Sequence, residues 1–410
     1  MAVVKPFSCV RPDADLASRV AALPYDVYDR AEAKIEVNRE PLSFLAIDRA
    51  ETQFDDSVDM YSPQVYNKAK DLFESRVADK TFITDQDKTY YIYALTMDGR
   101  TQTGLVACAS IDDYLNNVIK KHENTRAEKE VDRIKHVDTL SAQTGPIFLA
   151  YRADEVITGA VNSTKESPCL YDFVSPDGIR HQVWKMTDAS MVSDVAKAFE
   201  SIDSIYIADG HHRAASAVKV GLKRREENPG FTGDEEFNFF LAVLFPDEEL
   251  KILPYNRVVK DLNGLSKEAF LSKVEDNFEL SMSDVPVSPD KKGTYGMFLD
   301  NTWYLLKAKG KILSDDAVDG LDVAVLQNSL LEPVLGITDP KTDKRIDFVG
   351  GIRGLKELER RCSLDCVVAF SMYPTSISEL FAVSDNNRLM PPKSTWFEPK
   401  LRSGLFIHRI

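Results

Sequence analysis

Hydrophobic and polar positions along the chain follow two periods, one typical of helices and one typical of strands. Residues 63–80 carry apolar side chains at helical spacing, so they predict a helix. Residues 89–95 and 103–111 are rich in apolar and aromatic side chains, and Asp98-Gly99 between them is a typical turn pair. These two segments therefore predict a β-hairpin that follows the helix.

Later segments predict buried strands that alternate with helices. Residues 237–245 are almost continuously hydrophobic, as expected of a central strand buried on both faces. Residues 146–151 and 204–208 predict shorter strands, and the second of these stops at Asp209-Gly210, where a helix begins near His212. Because both element types are interspersed, the expected fold class is α+β, or mixed α/β.

The chain is long enough for two domains. Charge and Ser/Pro content rise over residues 261–292, which favours a boundary there. We therefore expect a core with its N-terminal elements at residues 1–260 and an α+β region at residues 261–410. The second region is expected to contribute a cationic loop.

Composition excludes several classes of protein. With 43% hydrophobic and 28% charged residues, the chain is an ordinary globular one, and no apolar run approaches the ~20 residues that span a membrane. The N-terminal segment lacks the pattern of a signal peptide, and five scattered cysteines imply no disulfide framework, so we expect a cytoplasmic protein. The net charge of -14 argues against a nucleic-acid partner. Oligomeric state is not readable from the sequence.

The sequence DGHHR at residues 209–213 is the most informative motif. A strand stops, a glycine permits a tight turn and a helix starts, so free backbone N–H groups point to one place. Two imidazoles and a guanidinium lie at the same point, which favours an anion such as phosphate. The alternative is an ordinary helix cap by Asp209. We call residues 209–213 the DGHHR turn.

The sequence KHENTR at residues 121–126 is the second candidate. Lys, His, Glu and Arg occur there within a stretch that has few apolar anchors. A solvated charge run is the alternative interpretation. Three of the six histidines of the chain fall in the two motifs, which favours function. We call residues 121–126 the KHENTR segment, and we expect the two motifs to converge on one anion-binding pocket.

Two further segments carry candidate chemistry. Residues 390–404 hold two lysines and an arginine together with three prolines, which suits a stiff phosphate-binding loop or a proline-rich surface tail. Tyr25-Asp26 lies in a compact turn and either contacts a substrate or caps the turn. No Walker, protein-kinase or Rossmann glycine motif is present, so a kinase of this sequence would not have one of the common folds.

The two central motifs resemble those of the ParB/sulfiredoxin superfamily. A His-Glu pair, the stretch Ile134 to Gly145 and the DGHHR turn correspond to its landmarks, although an insertion separates the motifs. The DGHHR form is similar to that of free serine kinases. Over nearly its whole length the chain resembles the family called domain of unknown function 1015 (DUF1015), on landmarks at residues 24–27, 122–125, 209–213 and 392–400.

The resemblance implies a kinase that phosphorylates L-serine to O-phosphoserine with pyrophosphate or a nucleotide as donor. The resemblance implies that Glu123 is the catalytic base and that Asp209 assists it or holds Mg²⁺. It also implies that the transferring phosphate is bound by Gly210, His211, His212 and Arg213. Charge complementarity assigns the donor's other phosphate to Lys393, Lys400 and Arg402. Substrate contacts are expected from His122, Asn124, Thr125, Arg126, Tyr25 and Asp26. A nucleotide-dependent ParB-like switch protein and a phosphoesterase are the alternatives.

Overall fold

The computed structural model describes residues 1–125 and 127–410, without the side chains of residues 127–129. The chain divides into two compact units, one formed by Met1–Leu250 with Pro399–Ile410 and the other by Lys251–Glu398. The division therefore lies before the expected boundary at residues 261–292. The reason is strand pairing, since the strand Tyr255–Val259 pairs within the second unit and the strand Ile407–Arg409 pairs within the first.

The strands alternate with helices along the chain. In chain order the strands are β1 Val4–Lys5, β2 Cys9–Pro12, β3 Phe82–Thr84, β4 Tyr91–Met97, β5 Arg100–Ser110, β6 Ile119–Lys120, β7 Ala142–Gln143, β8 Ile147–Tyr151, β9 Tyr171–Val174, β10 Arg180–Lys185, β11 Ile205–Asp209, β12 Phe239–Pro246, β13 Ile252–Leu253, β14 Tyr255–Val259, β15 Phe278–Ser283, β16 Thr294–Leu299, β17 Thr302–Ala308, β18 Ile346–Gly350, β19 Val368–Met372, β20 Trp396–Phe397 and β21 Ile407–Arg409. The helices are α1 Ala17–Val20, α2 Arg30–Arg39, α3 Leu45–Asp48, α4 Pro63–Ala78, α5 Ile111–Leu115, α6 Ala127–Leu140, α7 Glu155–Lys165, α8 Ala189–Glu200, α9 His211–Glu227, α10 Lys267–Asn277, α11 Asp322–Leu326, α12 Leu355–Leu364 and α13 Ile377–Asp385.

A mixed sheet of order β6-β11-β8-β12-β5-β4-β10-β9 forms the core of the first unit, and β1 pairs with β5 beside it. The central strand β12 runs parallel to β8 and antiparallel to β5, and its residues Phe239 to Phe245 are buried. At one edge β6 runs parallel to β11. The carboxyl ends of these two neighbours therefore lie at the same edge of the sheet.

A second, four-stranded sheet of order β3-β2-β21-β7 brings the last strand of the chain into the first unit. Helices α3, α4 and α6 pack near it over an apolar cluster that includes Phe44, Phe73 and Leu140. This arrangement places the N-terminal helices beside α6.

The second unit has its own six-stranded sheet of order β15-β17-β16-β19-β14-β18 and a two-stranded pair of β13 with β20. An apolar cluster that includes Val258, Trp303, Leu358 and Ala369 fills one side of the sheet. The unit therefore buries a core of its own.

The structure confirms the predicted mixed α/β class. The predicted helix is α4, and the predicted hairpin is β4 and β5, with Asp98 and Gly99 at positive φ angles of 51° and 76° in the turn. The predicted central strand is β12. Among the described residues no helix combines the length and the apolar character needed to cross a bilayer.

Candidate active site

The DGHHR turn connects β11 to α9 in the first unit. The apolar residues of β11 are buried in the sheet, and the strand ends at Asp209 after a register irregularity that follows Ile207. Gly210 lies at φ 93° and ψ 30°, a left-handed conformation that glycine adopts without the steric penalty of a Cβ atom. Helix α9 begins at His211, so the N–H groups of its first turn have no acceptors within the helix.

The guanidinium of Arg213 packs against two glycines. It donates from Nη1 to the carbonyl oxygen of Pro146 at 2.6 Å. A Cβ atom on Gly210 would lie 3.1 Å from its Nε, and one on Gly145 would lie 3.6 Å from its Nη1. The absence of side chains at both positions thus lets the guanidinium lie against the backbone at the start of α9.

Asp209 carries a negative charge among cations. Its Oδ2 atom lies 3.2 Å from Nζ of Lys400 and 3.9 Å from Nη2 of Arg213. Burial alone would raise the pKa of this carboxyl, but the two cations outweigh burial and hold the pKa well below its usual range. Asp209 is therefore ionised at neutral pH, and Lys400 joins the site from the C-terminal end of the chain.

His122 of the KHENTR segment contacts His211 of the DGHHR turn. The two rings lie 4.5 Å apart in an edge-to-face arrangement of 86°, and the backbone N–H of His122 points to Nε2 of His211 at 3.5 Å. The sheet explains this contact, because β6 and its parallel neighbour β11 end where the two motifs begin. The structure thus places the expected pair of motifs side by side.

Both contacting histidines are buried and neutral. Burial lowers the pKa of His122 to about 4 and lowers the pKa of His211 well below its ordinary value, an effect that His122 reinforces. His211 can therefore offer a phosphate a neutral hydrogen bond but not a positive charge. Within the described part of the chain, Nδ1 of His122 is buried without a hydrogen-bond partner.

The rest of the KHENTR segment leads into α6. Glu123 and Asn124 are exposed, and the hydroxyl of Thr125 hydrogen-bonds to the carboxylate of Glu130. Glu130 also pairs with Lys219 on α9, which ties α6 to that helix. Arg126, a predicted substrate contact, lies outside the described residues.

Three basic residues that the sequence groups as phosphate ligands lie in different surroundings. Lys400 reaches Asp209, as described above. Arg402 is buried and donates to the carboxylate of Asp177 and to Oγ of Ser175, at 3.1 Å for the latter. The carboxylate of Asp177 is exposed although Arg402 is buried, and the assignment of Arg402 to a donor phosphate stays a prediction. Lys393 belongs to the second unit, where its ammonium lies 5.4 Å from the ring centre of Tyr255.

Tyr25 and Asp26 line a cavity of 740 Å³ in the first unit. The guanidinium of Arg133 lies 3.9 Å from the ring centre of Tyr25, and burial raises the pKa of this tyrosine to about 12. Asp26 is exposed at the cavity. The two residues therefore line a space large enough for a ligand. A simple turn cap would not require such a space.

The sequence analysis missed most of the polar residues that line this cavity. They come from α3 and the turn after it, and from α6; they are Asp48, Arg49, Glu51, Asp132, Arg133 and His136. Asp132, Arg133 and His136 follow one another at near-helical spacing, which marks a polar helix face but does not reveal that the face is buried. The available signal was therefore only the high share of charged residues at positions 127–140.

A metal ion is not held by these residues alone. Among the described residues no group of three or more His, Cys, Asp or Glu side chains can enclose a metal ion. Asp209 faces Lys400 and Arg213 instead, so it offers one carboxylate that is already neutralised. Mg²⁺ usually keeps several waters and binds through one or two carboxylates plus substrate phosphates, and any Mg²⁺ here would depend on such phosphates.

In this mixed α/β protein the start of α9, with Arg213 and Lys400 beside it, thus lies next to the loop that bears Glu123. A family model described as a protein of unknown function, DUF1015, matches residues 4–324. The chain belongs to this family, which confirms the resemblance seen in the sequence. No curated protein matches the chain.

Solved structures show remote similarity. A mutant free serine kinase in complex with ADP is 11% identical at a TM-score of 0.34, and the match covers 74% of this chain and 93% of that one. SbnI with a C-terminal truncation, from Staphylococcus aureus, is 12% identical at a TM-score of 0.38, with 74% and 87% covered. A conserved hypothetical protein from Pyrococcus furiosus is 13% identical at a TM-score of 0.35, with 74% and 95% covered.

Proposed function

We propose that the protein is a small-molecule kinase that phosphorylates the hydroxyl of free L-serine to give O-phosphoserine. The contact of His122 with His211 carries the proposal. It places the loop that bears Glu123 beside the start of α9, where Arg213 and Lys400 lie. Phosphoryl transfer needs little more from a protein than a placed nucleophile and neutralised phosphate oxygens.

The transferring phosphate is assigned to the start of α9. Its first-turn N–H groups, the positive end of the helix and the guanidinium of Arg213 all favour an anion. Lys400 adds a second cation, and Asp209 holds that cation in place through its carboxylate. A phosphate here would be bound chiefly by backbone groups and fixed cations, because His211 is neutral.

The acceptor hydroxyl is assigned to the Glu123 loop. In the reaction the serine oxygen forms a bond to phosphorus while the bond from phosphorus to the donor oxygen breaks. Glu123 takes the hydroxyl proton, and the electron pair of the broken bond leaves with the remainder of the donor. A carboxylate is basic enough for this role, because a loose transition state needs only late deprotonation.

The donor is pyrophosphate or a nucleotide. Mg²⁺ bound to the donor phosphates would neutralise the charge that develops on them. Lys393 remains a proposed phosphate contact. We expect the reaction in the cytoplasm, with small-molecule partners and, given the net charge of -14, no nucleic acid.

The test is incubation of the purified protein with L-serine, Mg²⁺ and, in separate reactions, pyrophosphate, ADP or ATP, followed by mass spectrometry for phosphoserine. Phosphoserine that depends on both donor and enzyme supports the proposal. Its absence with every donor would remove it.

A further inference from the structure

Lys400 lies in a segment without regular secondary structure, between β20 and β21. This segment is nevertheless held in place, because Nζ of Lys400 lies 3.2 Å from the carboxylate of Asp209. Ser403 exchanges two backbone hydrogen bonds with Ala22, which fixes the chain further along. Between Lys400 and Ser403, the side chain of Arg402 makes the contact that orients the segment.

Arg402 is enclosed by the hairpin of β9 and β10. Its side chain is 4% exposed, and Nη2 donates to Oγ of Ser175 at 3.1 Å and to the carboxylate of Asp177. Its Nε lies 3.3 Å from Nε2 of His181 in β10. Because β9 and β10 pair with each other, all three partners belong to one hairpin and its turn. The guanidinium thus ties the C-terminal segment to this hairpin.

His181 is a rigid, neutral acceptor for Arg402. Since an arginine N–H can only donate, Nε2 of His181 accepts, and the proton of the ring lies on Nδ1, which is 2.7 Å from the hydroxyl of Tyr93. Burial lowers the pKa of His181 to about 3, and the charge of Arg402 adds to this effect. The ring is stacked between Tyr93 and Phe173, at interplanar angles of 26° and 29°. His181 therefore orients the guanidinium but does not neutralise it.

Asp177 supplies the negative charge of the contact and is its accessible member. A buried guanidinium is costly without a counter-charge, and the other acceptors, Ser175 and His181, are neutral. Burial would raise the pKa of Asp177, but Arg402 and Ser175 outweigh burial and hold the pKa below its ordinary value. The side chain of Asp177 is 42% exposed, against 4% for that of Arg402. The counter-charge can therefore be removed, or replaced from solvent, without opening the core.

We propose that Asp177 is a positioning residue, which holds Arg402 and thereby keeps Lys400 beside Asp209. The ion pair of Asp177 with Arg402 fixes one end of residues 400–402, and Lys400 at the other end then lies within reach of the Asp209 carboxylate. The inference rests on the proposed function, in which Lys400 is a phosphate-binding cation. It gives the turn between β9 and β10 a part in a site to which the two motifs alone do not point.

The test is trace acetylation of lysine amines with acetic anhydride in the full-length protein, with the rate at each lysine measured by mass spectrometry of its peptide. Lys185 is the internal reference. Its side chain is 25% exposed and its Nζ lies 3.4 Å from the carboxylate of Asp85, against 20% and 3.2 Å for Lys400 and Asp209. Because Lys185 belongs to β10, it also reports on the hairpin itself.

Two variants remove the counter-charge, Asp177→Ala and Asp177→Asn, of which the second keeps the size of the side chain. The control is Asp172→Ala, because Asp172 is 39% exposed on the same hairpin but pairs with Arg180. Lys400 should react at least fivefold faster in both Asp177 variants and within twofold of the wild type in the control. Lys185 should stay within twofold throughout.

A chemical rescue separates the lost charge from a general disturbance. In Asp177→Ala, sodium formate should slow the reaction of Lys400, whereas sodium chloride at the same ionic strength should not, because formate supplies a small carboxylate at the open position. An unchanged Lys400 rate in both Asp177 variants would overturn the inference. So would an equal rise in Asp172→Ala or at Lys185, or a faster Lys400 on which formate has no effect.

The acetylation needs no donor, so its outcome is independent of the kinase reaction. Calorimetric titration with pyrophosphate, and separately with ADP, both with Mg²⁺, tests the link to the proposed function. Affinity for the donor should fall about 5- to 10-fold in Asp177→Ala, as for a displaced charged contact. A released Lys400 with unchanged donor affinity, or a wild type that binds neither donor, would contradict the proposed function and leave the positioning by Asp177 intact.

Discussion

His122 and His211 are 89 positions apart in the sequence, yet their rings lie 4.5 Å from each other at one edge of the sheet. The parallel pairing of β6 with β11 creates this proximity, since β6 ends immediately before the KHENTR segment and β11 ends at the first residue of the DGHHR turn. The loop that bears Glu123 and the start of α9 are therefore neighbours, and the roles proposed for both can be tested by substitution.

Replacement of Glu123 tests the proposed base. Glu123→Gln keeps the size and hydrogen-bonding capacity of the side chain but removes its basicity, so kcat should fall by about 10²–10⁴ while donor affinity stays the same. Steady-state kinetics with phosphoserine detection measures both quantities. Glu155→Gln, at an exposed position of α7, serves as the control. Wild-type turnover in the Glu123 variant would exclude it as the base.

Replacement of Arg213 tests the anion pocket. Arg213→Ala removes the guanidinium that lies between Gly145 and Gly210, and donor affinity should fall roughly 10- to 100-fold, as for a lost charged hydrogen bond. Arg213→Lys should restore only part of this loss, because an ammonium lacks the planar fork. Titration of the donor gives the affinities. The same change at the exposed Arg180 should have no effect, and a comparable loss there would point to a general effect of charge.

Alanine at Gly210 tests the geometry of the turn. Both Gly210 and Gly178 have left-handed backbones, at φ 93° and 81°, but only a Cβ at Gly210 would approach the Arg213 guanidinium, at 3.1 Å. Each substitution should cost about 1–2 kcal/mol of unfolding free energy in urea denaturation. Only Gly210→Ala should also weaken donor binding. Equal donor binding by both variants would mean that the placement of the Arg213 guanidinium against Gly210 is not needed for donor binding.

Burial of His122 predicts a pH-dependent stability. The pKa of His122 is lowered to about 4 in the folded chain, against about 6.5 in the unfolded chain. Between about pH 4 and pH 6.5 the unfolded state therefore binds a proton at this ring that the folded state does not bind. Stability should therefore fall as pH drops from about 6.5 towards 4, by at most about 1.4 kcal/mol per pH unit for this group. Asp322, whose pKa is raised to about 6, opposes the trend in the same range.

The comparison of variants isolates the histidine. In urea denaturation at pH 7, 6 and 5, His122→Asn should show a shallower loss of stability with acid than the wild type does. Ile119→Val, at a fully buried position of β6, should shift the whole curve without changing its slope. An unchanged slope in the His122 variant would show that the ring titrates normally in the folded protein.

Local pattern was sufficient for much of the fold and for the positions of the two motifs. The hairpin of β4 and β5 and the buried strand β12 depend on neighbouring residues, so alternation and turn residues reveal them. The start of α9 is likewise encoded by a strand followed by Asp209-Gly210. These features need no knowledge of distant contacts.

Contacts between residues that are far apart in the sequence could not be predicted from local pattern. Lys400 and Arg402 are two positions apart and carry the same charge, yet one pairs with Asp209 and the other is buried against Asp177. Nothing in their local sequence distinguishes these partners, which lie far back along the chain. The cavity was missed for the same reason, since its walls come from helices whose packing is tertiary.

The most direct test of the kinase claim follows the oxygen atoms of the reaction. The protein is incubated with L-serine, Mg²⁺ and its phosphate donor, and the incubation is carried out in water enriched in a heavy oxygen isotope. The products are analysed by mass spectrometry. The account predicts phosphoserine free of solvent oxygen, formed by the wild type and nearly lost in Glu123→Gln. Inorganic phosphate that carries solvent oxygen, released at the same rate without serine, would contradict it and identify water as the acceptor.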